Sequence, residues 1–232
     1  GAGAAGPVVD LLRSVPARYS APMDDQMTMN RLIHHAVRRD LARLEAGLRA
    51  MPDGDRTRAD QIQRTWDNLS DQLTRHHEGE DTYVWPWLES VGIDPELLAA
   101  MESEHEALAN ALSESATAIG AACSAASGAG AARAADVVAN AATVVGQHLD
   151  HEENELEPLM APYIKSPQWK DVEKKLRSVP PTTAGWFFAW IQDGATADEL
   201  AYLRSVMPGP VLLVLSKVLG RGYTKQVASA WS

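Results

Sequence analysis

The sequence predicts an all-α fold: an antiparallel up-down four-helix bundle followed by a small helical extension. Three observations carry that expectation. Apolar residues recur at helical spacing, and no alternating β pattern interrupts them. Short breaks separate four long periodic stretches, as in an antiparallel bundle. All seven histidines lie in those stretches and none in the extension.

The first helix is expected from about Asp24 to Met51, stopped by the Pro52-Asp53-Gly54-Asp55 turn. The second runs from about Thr57 to Ser90. Gly92 to Pro95 breaks the chain, with Asp94 as N-cap and Pro95 at the first helical position. The third helix then reaches about Ala122. Residues Ala121 to Ala135, rich in Ala, Gly and Ser, suit a connector or a weak helical segment. The fourth runs from about Ala134 to Met160, with Pro162 just beyond its end. The expected organisation is an N-terminal arm (1–22), the bundle (23–162) and the C-terminal helical extension (163–232). Pro180-Pro181, Gly194 and Pro208-Gly209-Pro210 divide the extension into short helices.

Composition narrows the function. The formal net charge of −10 argues against nucleic acid, whose phosphates need a basic surface. The single cysteine, Cys123, cannot close an internal disulfide or build a thiolate cluster, and it is read as a small buried apolar residue. No apolar run reaches the roughly 20 residues of a membrane span, Val211 to Leu219 being too short. The opening residues do not read as a signal sequence. A reducing cytoplasmic location, with no membrane partner, is therefore expected.

Heptad phase says which histidines face the bundle interior. Met27, His34, Leu41 and Leu48 share one stripe of the first helix. In the second, Ile62, Leu69, His76 and Tyr83 share a phase, beside Trp66, Leu73, Glu80 and Trp87. Leu98, His105, Leu112 and Ile119 align in the third. Ala141, His148 and Glu155 align in the fourth, beside Val138, Val145, Glu152 and Leu159. Each helix thus turns one histidine inward, and two helices add a glutamate one turn later. His35 shares a polar face with Thr28 and Arg49 and is expected in solvent. His77 with Asp81 forms a rival pair that the phase ranks below His76 with Glu80. His151 is partly inward, suited to orienting a ligand or shuttling protons, with Glu155 and Asp81 in the same surrounding layer.

Buried carboxylates are costly unless compensated, so two glutamates among four histidines call for a cation. Residues four apart share a helix face, letting His76/Glu80 and His148/Glu152 each grip one centre. Mixed imidazole and carboxylate donors suit iron better than magnesium or calcium. Absent thiolates weaken a structural zinc reading.

At these residues the chain resembles the haemerythrin-like (HHE cation-binding) family, in wording most like its actinobacterial, mycobacterial-type branch. The carrying segments are RLIHHAVRRDL, HHEGEDTYVWPWL, SEHEAL and HLDHEENELEPL. A repeated pattern places Glu four and Pro ten after His: His76, Glu80, Pro86 and His148, Glu152, Pro158. The resemblance covers about Met23 to Pro162. It implies two non-haem iron ions, oxo- or hydroxo-bridged, ligated by His34, His76, His105 and His148 and bridged by Glu80 and Glu152. Oxygen-carrying haemerythrin has two histidines four apart on its third helix, whereas Ala109 stands at the second of those positions here. That departure implies a ligand-poor iron.

The expected function is therefore a di-iron protein reacting with hydrogen peroxide, oxygen or nitric oxide, in catalase-like or redox-stress chemistry. Glu80, Glu152 and His151 are its expected catalytic groups, with His77 or Tyr83 as further proton carriers. The alternative is non-enzymatic oxygen or iron binding or sensing. A small diatomic molecule or peroxide is the expected ligand, and the extension is the expected surface for a second copy or a protein partner.

Overall fold

The structure, a computed structural model, describes residues 27–231, and every regular element among them is helical. The arm 1–22 and the first residues of the expected first helix lie outside the described range. The chain divides into two compact units. One joins residues up to Ala36 with Lys165–Lys225, and the other joins Val37–Ile164 with the residues from Gln226 on.

The larger unit is helical throughout. Helix α1 (Met29–Arg49) enters it at Val37, followed by α2 (Arg56–Gly79), α3 (Trp85–Ser90), α4 (Pro95–Ala125), α5 (Gly128–His151) and α6 (Glu157–Met160). Its apolar stripes bury Leu41, Leu48, Ile62, Leu69, Met101 and Val145 almost completely, as periodic apolar placement demands. Asp55 caps α2 by accepting from Arg58 N–H, and Asp94 caps α4 by accepting from Glu96 N–H. The Ala-, Gly- and Ser-rich stretch is helical except for a tight break. Ala126 is left-handed at φ 47° and Ser127 caps α5. Small side chains let α4 and α5 pack closely, which explains why this segment is not a slack connector. Gly54 N–H donates to Ala126 O at 2.8 Å, and Gly128 N–H to Asp53 Oδ1 at 2.9 Å, so two turns are laced together at one end. Arg38 forks between Asp150 and Glu153, 2.7 Å to each, tying α1 to the helix that bears His148.

Two expected helices contain a widened turn. Residues Glu80–Val84 and Glu152–Leu156 are π turns between α2 and α3 and between α5 and α6. Trp85 N–H reaches back five residues to Glu80 O, and Glu157 N–H to Glu152 O. Pro86 and Pro158 follow immediately. Proline has no N–H for the carbonyl four residues back and its ring crowds that carbonyl; the wider turn removes the clash.

The smaller unit holds α7 (Pro167–Leu176), α8 (Pro181–Gln192), α9 (Ala197–Val206), α10 (Gly209–Leu213), a π turn (Val214–Leu219) and most of α11 (Arg221–Gln226). Gly185 on α8 and Gly220 meet backbone to backbone; a Cβ on Gly220 would lie 2.3 Å from Gly185 O. Trp190 and Tyr223 fill the core, and Tyr223 donates to Asp193 Oδ2 at 2.8 Å. Thr196 and Glu199 form a capping box on α9. His35 is exposed, as its polar face predicts, and it pairs through Nδ1 with the buried Glu199. No single described helix is long and apolar enough to cross a membrane.

Candidate metal centre

The last turn of α2 carries His76 and His77, and Glu80 opens the first π turn. His105 comes from the third turn of the long α4, His148 from the end of α5, and Glu152 opens the second π turn. His77, Glu80, His105, His148 and Glu152 are all buried, and the His76 side chain is nearly so. His34 is fully buried on α1, within the smaller unit.

Within the larger unit the donors converge. His76 Nε2 lies 3.2 Å from Glu80 Oε1, and His105 Nε2 lies 3.6 Å from Glu80 Oε2. Glu80 Oε2 is buried and accepts no hydrogen bond. Burial pushes the Glu80 carboxyl well above the usual carboxylate range, and the charges of Glu152 and then Asp81 push it further. The His77 ring stacks on His105 at 4.2 Å and meets His148 edge-on at 5.3 Å. His77, His105 and His148 can offer ligand nitrogens within 4.8 Å of one another, and His76, His77 and Glu80 form a second such group.

The central pair decides what the cluster can hold. His105 donates Nδ1–H to Asp81 Oδ1 at 2.7 Å, and His148 donates Nδ1–H to Glu104 Oε2 at 2.9 Å. An ionised carboxylate only accepts, so each Nδ1 must carry the proton. A ring with its proton at Nδ1 has its lone pair at Nε2, and the two Nε2 atoms face each other at 3.1 Å. Burial holds the His148 imidazole below its usual range despite Glu104, which favours its neutral ring. A metal ion resolves the opposition. With metal–nitrogen bonds of about 2.1 Å, neighbouring ligands at a right angle sit about 3.0 Å apart. The donor set present fits a metal.

His151 donates Nδ1–H to Glu104 Oε1 at 2.7 Å, and its Nε2 lies 3.4 Å from Glu155 Oε2. Burial opposes its protonation, but Glu104 and Glu155 together raise it above the usual imidazole range. Trp85 stacks on His105 at 5.7 Å and closes one side. Burial likewise pushes the Cys123 thiol up.

Two members escape the phase argument. His77 is buried among the donors although its phase ranked it below His76. His77 lies on regular helix, one position round from His76 and before the π turn; the HHEGED pairing of His77 with Asp81 was the available signal. Glu104, beside His105 in SEHE, is the other, and phase assigns it no inward role. His77, from another helix, places an imidazole beside His105.

No curated protein and no solved structure matches the chain. The hemerythrin HHE cation binding domain matches residues 29–160, more than half of the chain's 232, and spans every histidine in it. The chain belongs to the hemerythrin HHE cation-binding family.

Proposed function

We propose that the chain is a non-haem di-iron protein reacting with hydrogen peroxide, oxygen or nitric oxide, in catalase-like or redox-stress chemistry. The opposed Nε2 lone pairs of His105 and His148, 3.1 Å apart with both outer nitrogens committed to carboxylates, carry the metal reading. His76, His77, His105 and His148 are the imidazoles, and Glu80 and Glu152 the carboxylates, that would hold the metal. His34 joins them by phase and burial, sharing a stripe with the buried Leu41 and Leu48. When bound, the iron pair supplies the electron transfer that peroxide chemistry requires. Burial of Glu80 and Glu152 keeps water from competing at the donors. A hydrogen-bonded line from His148 through Glu104 and His151 approaches the exposed Glu155, and it supports proton movement between solvent and the centre.

A second reading, non-enzymatic oxygen or iron binding or sensing, draws on His77. This imidazole restores the donor that Ala109 removes, which weakens the case for a vacant reactive position. Metal quantitation on purified protein should find a pair of irons per chain; protein that folds normally and takes up no iron refutes both readings. Oxygen evolution on adding peroxide then separates them, because a carrier or sensor produces none. We further propose that the protein works in the cytoplasm and that residues 163–232 serve as the surface for a second copy or a protein partner, which sedimentation of the intact chain would test.

A further inference from the structure

We propose that Glu104 and Asp81 are positioning residues that lock His148 and His105 with Nε2 directed at the metal, each acting across to the next helix. The inference rests on the metal reading and adds to it how the ligands are aimed. Asp81, on the first π turn, accepts Nδ1–H of His105 on α4, and Glu104 on α4 accepts Nδ1–H of His148 on α5. Orientation therefore passes from α2 and its π turn to α4, and from α4 to α5. Neither carboxylate belongs to the proposed ligands. Both are partly exposed, 44% for the Asp81 side chain and 35% for that of Glu104, whereas the imidazoles they hold are buried. Each carboxylate oxygen accepts from a buried ring and so fixes the tautomer of an imidazole that has no solvent to choose for it.

Glu104 has a second duty that makes it irreplaceable by its amide. Its Oε2 serves His148 and its Oε1 serves His151. Glutamine keeps one acceptor and turns the other atom into an N–H donor. Whichever ring meets that donor must present a lone pair at Nδ1, which moves its proton to Nε2. For His148 that proton would occupy the position of the metal.

The test compares Glu104→Gln with Glu106→Gln, the same charge change at a neighbouring exposed glutamate. Nitrogen-15 NMR of the histidine rings is recorded on metal-free full-length protein, and iron(II) affinity is measured by chelator competition. The expected result is a Nδ1-protonated His148 in wild type and Glu106→Gln, a mixed or Nε2-protonated His148 in Glu104→Gln, and about 10- to 100-fold weaker metal binding in that variant alone. Unchanged ring shifts with unchanged affinity in Glu104→Gln overturn the inference. Should Glu104→Gln not fold, Asp81→Ala gives the same readouts at His105, where an unchanged tautomer and affinity would equally overturn it. Wild type that shows the fixed tautomer but binds no metal refutes the metal reading and leaves the orienting role standing.

Discussion

Replacing His77 by alanine removes an imidazole that stacks on His105 at 4.2 Å. The expected loss of metal affinity exceeds the roughly 10- to 100-fold that follows removal of an outer partner. His35→Ala, at the exposed neighbour of His34, should leave bound iron unchanged; the near-ultraviolet iron absorption reads both variants. Thr196 tests a separate residue. Burial alone would raise Glu199, but the Thr196 N–H, the His35 ring and the Thr196 hydroxyl outweigh it and lower its carboxyl below 4.5. A depressed folded-state value contributes stability above pH 4.5, and that stability is lost as the pH falls through the depressed value. Thr196→Ala should cost about 1 kcal/mol and reduce the acid dependence of the urea midpoint between neutral and acidic pH. The inward placement of His34, His76, Glu80, His105, His148 and Glu152 was legible in the sequence because apolar neighbours seven positions apart fixed their phase. His77 and Glu104 were not, because phase ranks a single position on each turn as the inward one, and because it marks burial rather than hydrogen bonding.

The two π turns belong to the scale of elements. Each begins at a glutamate four residues after a histidine and ends just before a proline. Pro86 forbids an ordinary turn at Thr82, and the extra residue is absorbed after Glu80, in the widened turn that holds Asp81 against His105. Pro86→Ala would let the α ladder close, sparing the roughly 3 kcal/mol that an internal proline costs a regular helix. The metal-free protein should then melt no lower than wild type, while its iron affinity falls. Thermal melting and chelator competition on the same samples check the pair of outcomes, and equal iron affinity would refute the assigned role. The long helices were legible from periodicity and their caps from Asp94 and Pro95. The π turns were written only in the ten-residue spacing of His and Pro, which marks a disturbed helix without saying how it is disturbed.

For the whole molecule, metal and glycine each make a prediction. Removing iron leaves opposed lone pairs and buried carboxyls, so chelator-treated protein should unfold at a lower temperature. At a free metal concentration of about a hundred times Kd the difference amounts to about 2.7 kcal/mol. In the smaller unit, Gly220→Ala forces a Cβ within 2.3 Å of Gly185 O and 2.6 Å of Ala189 Cβ. A loss of about 1–3 kcal/mol is expected, read as a lowered denaturation midpoint. The larger unit also takes in the chain from Gln226 on: Arg58 donates to Ala230 O at 2.7 Å and lies over the Trp231 ring at 5.3 Å. A contiguous reading of residues 163–232 could not foresee that pairing, because it depends on contacts between residues far apart in sequence. The 3.1 Å approach of His105 and His148 has one more consequence, a kinetic one. Without its ion the larger unit is frustrated at that point, so local opening of its interior becomes less costly there. Amide exchange through residues 80–84 and 152–156 should therefore be faster in the metal-free protein than in the metal-loaded one, and the same opening would be the route by which the ion is loaded.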